Sequence, residues 1–182
     1  MPITIDTTYA GTATNSYCTL EEAIEIVESE LAIFVGYGVN VSGWQGVGSP
    51  SSETLKRALV RAADIIDQAP FDGAKYSQNQ RRAFPRIDTG KSWMNYGGDG
   101  GGYPDSLKLA HVAQACELLN EATASQQHAI DGVVKETVGD ISVEYRAGGG
   151  ASTGVARSVV NLMERFGLTS SSSGGSAYVP RG

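Results

Sequence analysis

Gly90-Lys91-Ser92 is the fragment of this sequence closest to a phosphate cradle. A phosphate-binding loop needs a first glycine five residues before the Gly-Lys pair, a strand ahead of it and a helix behind it. Pro85 stands where that glycine should be, and Trp93-Met94-Asn95-Tyr96-Gly97-Gly98 follows. Backbone N–H groups would not converge on a phosphate there. His111 and His128, the only histidines, lie far apart with no Cys or His cluster, so no zinc-type spacing exists. No nucleophile-elbow pattern accompanies either histidine, and a small hydrolase using His111 or His128 ranks third among the functional readings. The carboxylate pairs Glu21–Glu22 and Asp64–Asp67 fall on helix faces and read as solvated charges, not as an acid–base pair. Cys18 and Cys116 have no CxxC context and read as reduced thiols, with Cys116 a small buried hydrophobe. The expectation is no catalytic, cofactor-binding or metal-ligating residue, and no enzyme.

Arg81, Arg82 and Arg86 form a basic cluster, with Lys75 nearby and Tyr76, Phe84 and Trp93 interleaved. Three readings stay open. The arginines could anchor a subunit interface, where Arg and aromatic residues are enriched. Phe84 could plug the core while the arginines cap helices or pair with acids. The set could also stack and neutralise single-stranded nucleic acid. The interface is preferred and nucleic acid stands last, because Lys+Arg total 14 against 20 Asp+Glu and the net charge is −6. Interface candidates are therefore Arg81, Arg82, Phe84, Arg86, Trp93 and Tyr96, together with Tyr178, Val179 and Arg181 near the C-terminus.

These residues must be held by helices. Thr19-Leu20-Glu21-Glu22 is a capping box, opening a helix with Leu20, Ala23, Ile24, Val27 and Leu31 on one face and a stop near Gly36. Residues 36 to 52, rich in glycine and holding Trp44, read as a loop. A second helix runs from about Ser52 to Gln68, with a stripe of Leu55, Ala58, Leu59, Ala62, Ile65 and Ile66, and Pro70 ends it. Ser77 with Gln80 predicts a short helix stopped by Pro85. Residues 87 to 103 form a glycine-rich loop with aromatic anchors, and Pro104 opens a helix to about Ala124. From Val133 the period changes to two, and Gly139-Asp140 fits a two-residue turn, predicting a hairpin to Tyr145. Val155, Val159, Leu162, Met163 and Phe166 mark a last helix, closed by Gly167 and Leu168 in a Schellman ending. The expected class is mainly α: a small helical bundle at 19–168 with one β-hairpin at about 133–145. An extended lead-in at 1–18 and a flexible arm at 169–182 flank it.

With 182 residues, 41% of them hydrophobic, the chain can bury a core without disulfides. Mean hydropathy is −0.17, and no apolar run reaches the length that spans a bilayer. The opening MPITIDTTYA lacks the basic and apolar regions of a signal peptide, so the product is expected to stay in the cell that makes it. A lone hairpin is marginal, so it should pack on the helices or on another copy.

Four segments, taken together and in order, resemble the head–tail adaptor (connector, or head-completion) proteins of long-tailed bacteriophages. They are Asn15-Ser16-Tyr17 running into TLEEA; ALVRAADIID followed by Phe71-Asp72-Gly73; Gln80 to Arg86 ending Phe-Pro-Arg; and VKETVGDISVEY. Some members of that family carry the label DnaT-like single-stranded DNA-binding protein. The glycine-rich insert at residues 97–102 and the Ser/Gly tail depart from the pattern. The resemblance implies a homo-oligomeric ring, a dodecamer, docked on the portal protein in the virion neck after assembly in the host cytoplasm. It further implies a bridge to a stopper or tail-terminator protein, a lumen that passes genomic double-stranded DNA without specific binding, no cofactor and no membrane. The alternative is a single-stranded DNA-binding replication accessory protein.

Overall fold

The computed structural model describes residues 2–45, 50–91, 102–131, 135–138, 141–144 and 154–169, with side chains described as far as 120 and again from 154. Among them are six helices and two short antiparallel strand pairs, so the protein is mainly α. The helices are α1 (Leu20–Ser29), α2 (Leu31–Gly36), α3 (Ser42–Gln45), α4 (Ser52–Ile66), α5 (Asp105–Asp131) and α6 (Arg157–Arg165); the strands are β1 (Ala74–Lys75), β2 (Arg86–Ile87), β3 (Lys135–Val138) and β4 (Ile141–Glu144).

α5 is the axis of the molecule: α1, α3, α4 and α6 all pack against it. Its inner positions Leu107, Ala110, Val112, Ala113 and Cys116 are fully buried, against Leu59, Ala62, Ala63 and Ile66 of α4. The many alanines on both helices let their backbones approach closely. The predicted capping box is present in both directions: Glu22 N–H donates to Thr19 Oγ1 at 3.1 Å, and Thr19 N–H donates to Glu22 Oε2 at 2.8 Å. The Schellman ending of α6 is also present. Leu168 N–H donates to Met163 O at 2.9 Å and Gly167 N–H to Glu164 O at 3.0 Å, with Gly167 at φ +67. The hairpin pairs Val138 with Ile141 and Lys135 with Glu144, inside the predicted span.

Four expectations need correction. The first helix is two, because the chain opens at Glu30 (φ −106, ψ 17) before α2 resumes. The segment 36–52 contains the single turn α3, held by Asn120 of α5: Asn120 Oδ1 accepts from Gly43 N–H at 2.8 Å and from the Ser42 hydroxyl at 3.1 Å, while Ser42 N–H donates to Asn40 Oδ1 at 2.9 Å. That turn seats Trp44 in the core. α5 runs past Ala124 to Asp131. Finally, Ser77 to Pro85 is not helical. Gln80 Oε1 does accept from Ser77 N–H at 2.9 Å, but the Gln80 amide turns inward to Arg82 O at 3.0 Å and Pro85 O at 2.8 Å. The side chain thereby closes a loop whose ends meet as the β1–β2 ribbon, Ala74 opposite Ile87. The lead-in is not a loose arm over its whole length, since Thr14, Ser16, Tyr17 and Cys18 are buried.

Candidate interaction surface

The loop from Phe71 to Lys91 carries the basic cluster, and it turns Arg82 and part of Arg86 inward. Arg82 has 1% of its surface exposed. Its Nη1 donates to Asp64 Oδ1 at 2.7 Å and Asp67 Oδ2 at 3.1 Å, its Nη2 to Asn15 O at 2.9 Å, and its Nε to Thr14 O at 3.3 Å. One guanidinium fork thus ties the loop to the end of α4 and to the N-terminal segment. Asp67 Oδ1 accepts from Ala83 N–H at 3.0 Å and from the Tyr17 hydroxyl. Burial, then the neighbouring Asp67 charge, pushes the Tyr17 phenol well above its ordinary value.

Phe84, beside it, is a core residue. It meets Phe71 edge-on at 4.8 Å and Tyr17 at 6.3 Å, and Tyr17 in turn meets Tyr103 at 5.0 Å and His111 at 5.6 Å. Arg86 is half-buried and grips the backbone: Nε donates to Asp72 O at 2.6 Å, Nη2 to Gly73 O at 2.6 Å and Phe71 O at 3.1 Å, and Nη1 to Ala83 O at 3.2 Å. Gly73 is needed for this approach, since at φ +74 a Cβ there would lie 2.2 Å from Ile87 O. Lys91 pairs with Asp72 at 3.2 Å and also donates to Gly167 O, which anchors the end of α6.

Arg82 and Phe84 are therefore corrected from interface residues to interior ones. Desolvation of a guanidinium is tolerable only with its donors satisfied, and the loop satisfies them internally. Arg86 serves the same loop. Arg81 is exposed, as are Lys75 and Tyr76 on the same loop. Trp93, Tyr96, Tyr178, Val179 and Arg181 lie outside the described residues. Asp64 and Asp67 are likewise not free solvated charges, and neither is Glu22, which meets Lys108 at 2.8 Å. A signal for the first pair was present in the sequence. Two carboxylates in the last turn of a helix face the negative end of its dipole and call for a cation.

Cys18 Sγ lies 3.5 Å from His111 Nδ1, and His111 Nε2 lies 2.8 Å from Leu59 O. Chemically this is the reverse of an activated thiol. Burial pushes Cys18 up to about 12 and His111 down to about 4, so the pair rests as thiol and neutral imidazole. The assignment that fits is Nε2–H donating to Leu59 O, with Nδ1 facing the thiol. Sequence spacing of 93 residues gave no hint of this contact. Among the described residues no group of three His, Cys, Asp or Glu side chains could hold a metal, and no helix is long and apolar enough to cross a membrane.

What the described surface offers instead is apolar. Ile24 on α1 and Leu31 and Val35 on α2 are 38%, 39% and 65% exposed; the spacing of four puts Leu31 and Val35 on one side of α2, and Ile24 lies beside Glu21 and Glu28 on α1. Residues 1–182, the whole chain, match the family described as "Putative DnaT-like ssDNA binding protein". The chain belongs to that family. No curated protein and no solved structure matches it. In this DnaT-like chain the loop ending Phe84-Pro85-Arg86, part of the resemblance noted above, is a structural clamp and not an exposed basic face.

Proposed function

We propose that this protein is a structural adaptor of the phage neck: a ring-forming subunit that docks on the portal and bridges it to the next neck or tail component. The observation that carries this reading is the exposure of Ile24, Leu31 and Val35 on α1 and α2, beside the carboxylates of α1. A surface of that kind suits another protein and repels phosphate. Supporting it are the four segments that resemble head–tail adaptors and the inward turn of Arg82, Phe84 and Arg86, which takes three members of the basic–aromatic cluster away from the reach of a polyanion. Function in this reading is assembly: each subunit brings folded helices and exposed loops to its neighbours, and no bond is made or broken.

The second reading is a single-stranded DNA-binding accessory protein. The family description favours it directly, since it names single-stranded DNA. The exposed Lys75, Tyr76 and Arg81 would be its contact residues, with a base stacked on the ring and phosphates near the cations.

One pair of measurements separates the two. Mass measurement of the protein mixed with portal rings should show a complex that Val35→Asp weakens at least tenfold. Oligonucleotide shift assays from low to physiological salt should show no retained binding. Salt-sensitive binding lost in Lys75→Ala/Arg81→Ala, with no portal complex, would establish the second reading and end the first.

A further inference from the structure

A groove of about 460 Å³ is lined by residues of α1 and α2, the start of α5 and Phe166 after α6. Its floor is apolar, from Ile26, Ile33 and Phe166, and its rim carries Glu25, Glu30 and Asp105. None of these three carboxylates has an ion-pair partner among the described residues, and the one cation in the lining, Lys108, is already held by Glu22 at 2.8 Å. A fitting occupant must therefore bring apolar side chains and a positive charge. The chain has such a segment of its own. After Arg165 the only charged side chain is Arg181, and it stands beside Tyr178, Val179 and Pro180.

The geometry points to the segment Tyr178–Arg181 docking in this groove on its own chain, rings and aliphatics on the floor and the guanidinium among the rim carboxylates. Phe166, which lines the groove, precedes Thr169 by three residues, so the tail leaves the described fold within about 11 Å of it along the chain. Eight residues separate Thr169 from Tyr178, and seven of them are Ser or Gly. A Ser/Gly chain of that length averages about 14–17 Å end to end, more than the roughly 11 Å of chain between Phe166 and Thr169, so its end can return to the groove. Such a tether supplies an effective concentration of order millimolar, so weak contacts suffice. Intermolecular docking has to overcome that local advantage. The inference does not depend on the adaptor reading.

The test uses the full chain with benzoylphenylalanine replacing Tyr178, irradiated at low micromolar concentration, with cross-links located by mass spectrometry. The expected result is a link within one chain to the α1–α2 segment or to Phe166. Glu25→Lys/Glu30→Lys should cut that yield about tenfold, by turning attraction into repulsion at exposed charges. Adding Arg181→Glu to the reversed rim should restore it, which loss of folding could not do. Links between two chains at the groove would overturn docking on the same chain and assign the groove to a second copy. Links scattered over the surface, or a yield indifferent to both reversals, would overturn the site itself.

Discussion

The loop Phe71–Lys91 and the helix pair α4–α5 are held by opposite means. The helices meet through alanine, leucine and isoleucine, and their stability is the burial of that surface. The loop has two residues of strand at each end and little regular structure between. It is fixed by Arg82, Arg86, Gln80 and Asp67 reaching to backbone groups. Apolar packing tolerates substitution in proportion to the volume lost. A polar knot fails differently, because removing one member strands the groups that it satisfied. Adjacent arginines show the contrast at its sharpest: Arg81 is exposed and Arg82 is wholly enclosed.

The largest effect should come from cutting the knot. Arg82→Met keeps much of the side-chain bulk but takes the guanidinium donor from Thr14 O, Asn15 O and Oδ2 of the mostly buried Asp67, which keeps only its Oδ1 contacts to Ala83 and Tyr17. Removing one partner of such a buried set costs about 3–5 kcal/mol. Asp64 stays hydrated and adds little, being 55% exposed. Arg82→Lys should recover little of the loss, because an ammonium cannot span two carboxylates and two carbonyls as the fork does. Arg81→Ala should stay within about 0.5 kcal/mol. Urea unfolding of the three variants measures this. Equal effects at 81 and 82 would dissolve the distinction between the two regions.

The helical side has its own weak point, His111. Burial, opposed by its bond to Leu59 O and aided by the Arg82 charge, brings it down to about 4 from an ordinary 6.5. The unfolded chain therefore takes up this proton first as pH falls. Between about pH 6.5 and pH 4 the unfolded state binds more protons, so stability drops across that window and levels off below it. A shift of this size corresponds to roughly 3 kcal/mol at full extent. Denaturation midpoints from pH 7 to pH 4 should fall steeply in the native chain and less so in His111→Gln. An unchanged slope in that variant would place the acid sensitivity elsewhere.

How far each region was legible in the sequence follows from the same contrast. Helix periodicity, the Thr19 box and the Gly167–Leu168 ending are local signals, each read within a few residues, and α1, α4 and α6 appear where those signals put them. The turn at α3 depends on a distant partner, Asn120, so local reading missed it. The Ser77–Gln80 spacing is the instructive failure. It is the same signature as Thr19–Glu22, and half of its hydrogen bonding is present. A helix did not follow because the Gln80 amide found Arg82 O and Pro85 O, closing a loop around residues that α4 supplies from afar. Arg82 and Phe84 looked like surface anchors for the same reason: nothing local shows that Asp64, Asp67 and Tyr17 converge on them.

A smaller effect than at Arg82 or His111 is expected at Thr19, where the two kinds of interaction join. Thr19 caps α1, while Glu22 both completes the box and reaches Lys108 on α5. Burial raises Glu22, but the Lys108 and Thr19 hydrogen bonds outweigh it and hold the carboxyl below its ordinary range. Thr19→Ala should cost about 1 kcal/mol, and Thr19→Ser should recover most of it. Because Glu22 keeps its grip on Lys108 in either variant, α1 should stay docked and lose protection only in its first turn. Hydrogen exchange can read this directly: faster exchange at Glu21 to Ala23 in Thr19→Ala, with the α5 amides at Ala110 to Ala113 unchanged. Exchange that spread into α5 would mean that the cap and the helix pairing act as one unit, and that this helical region is as brittle as the loop.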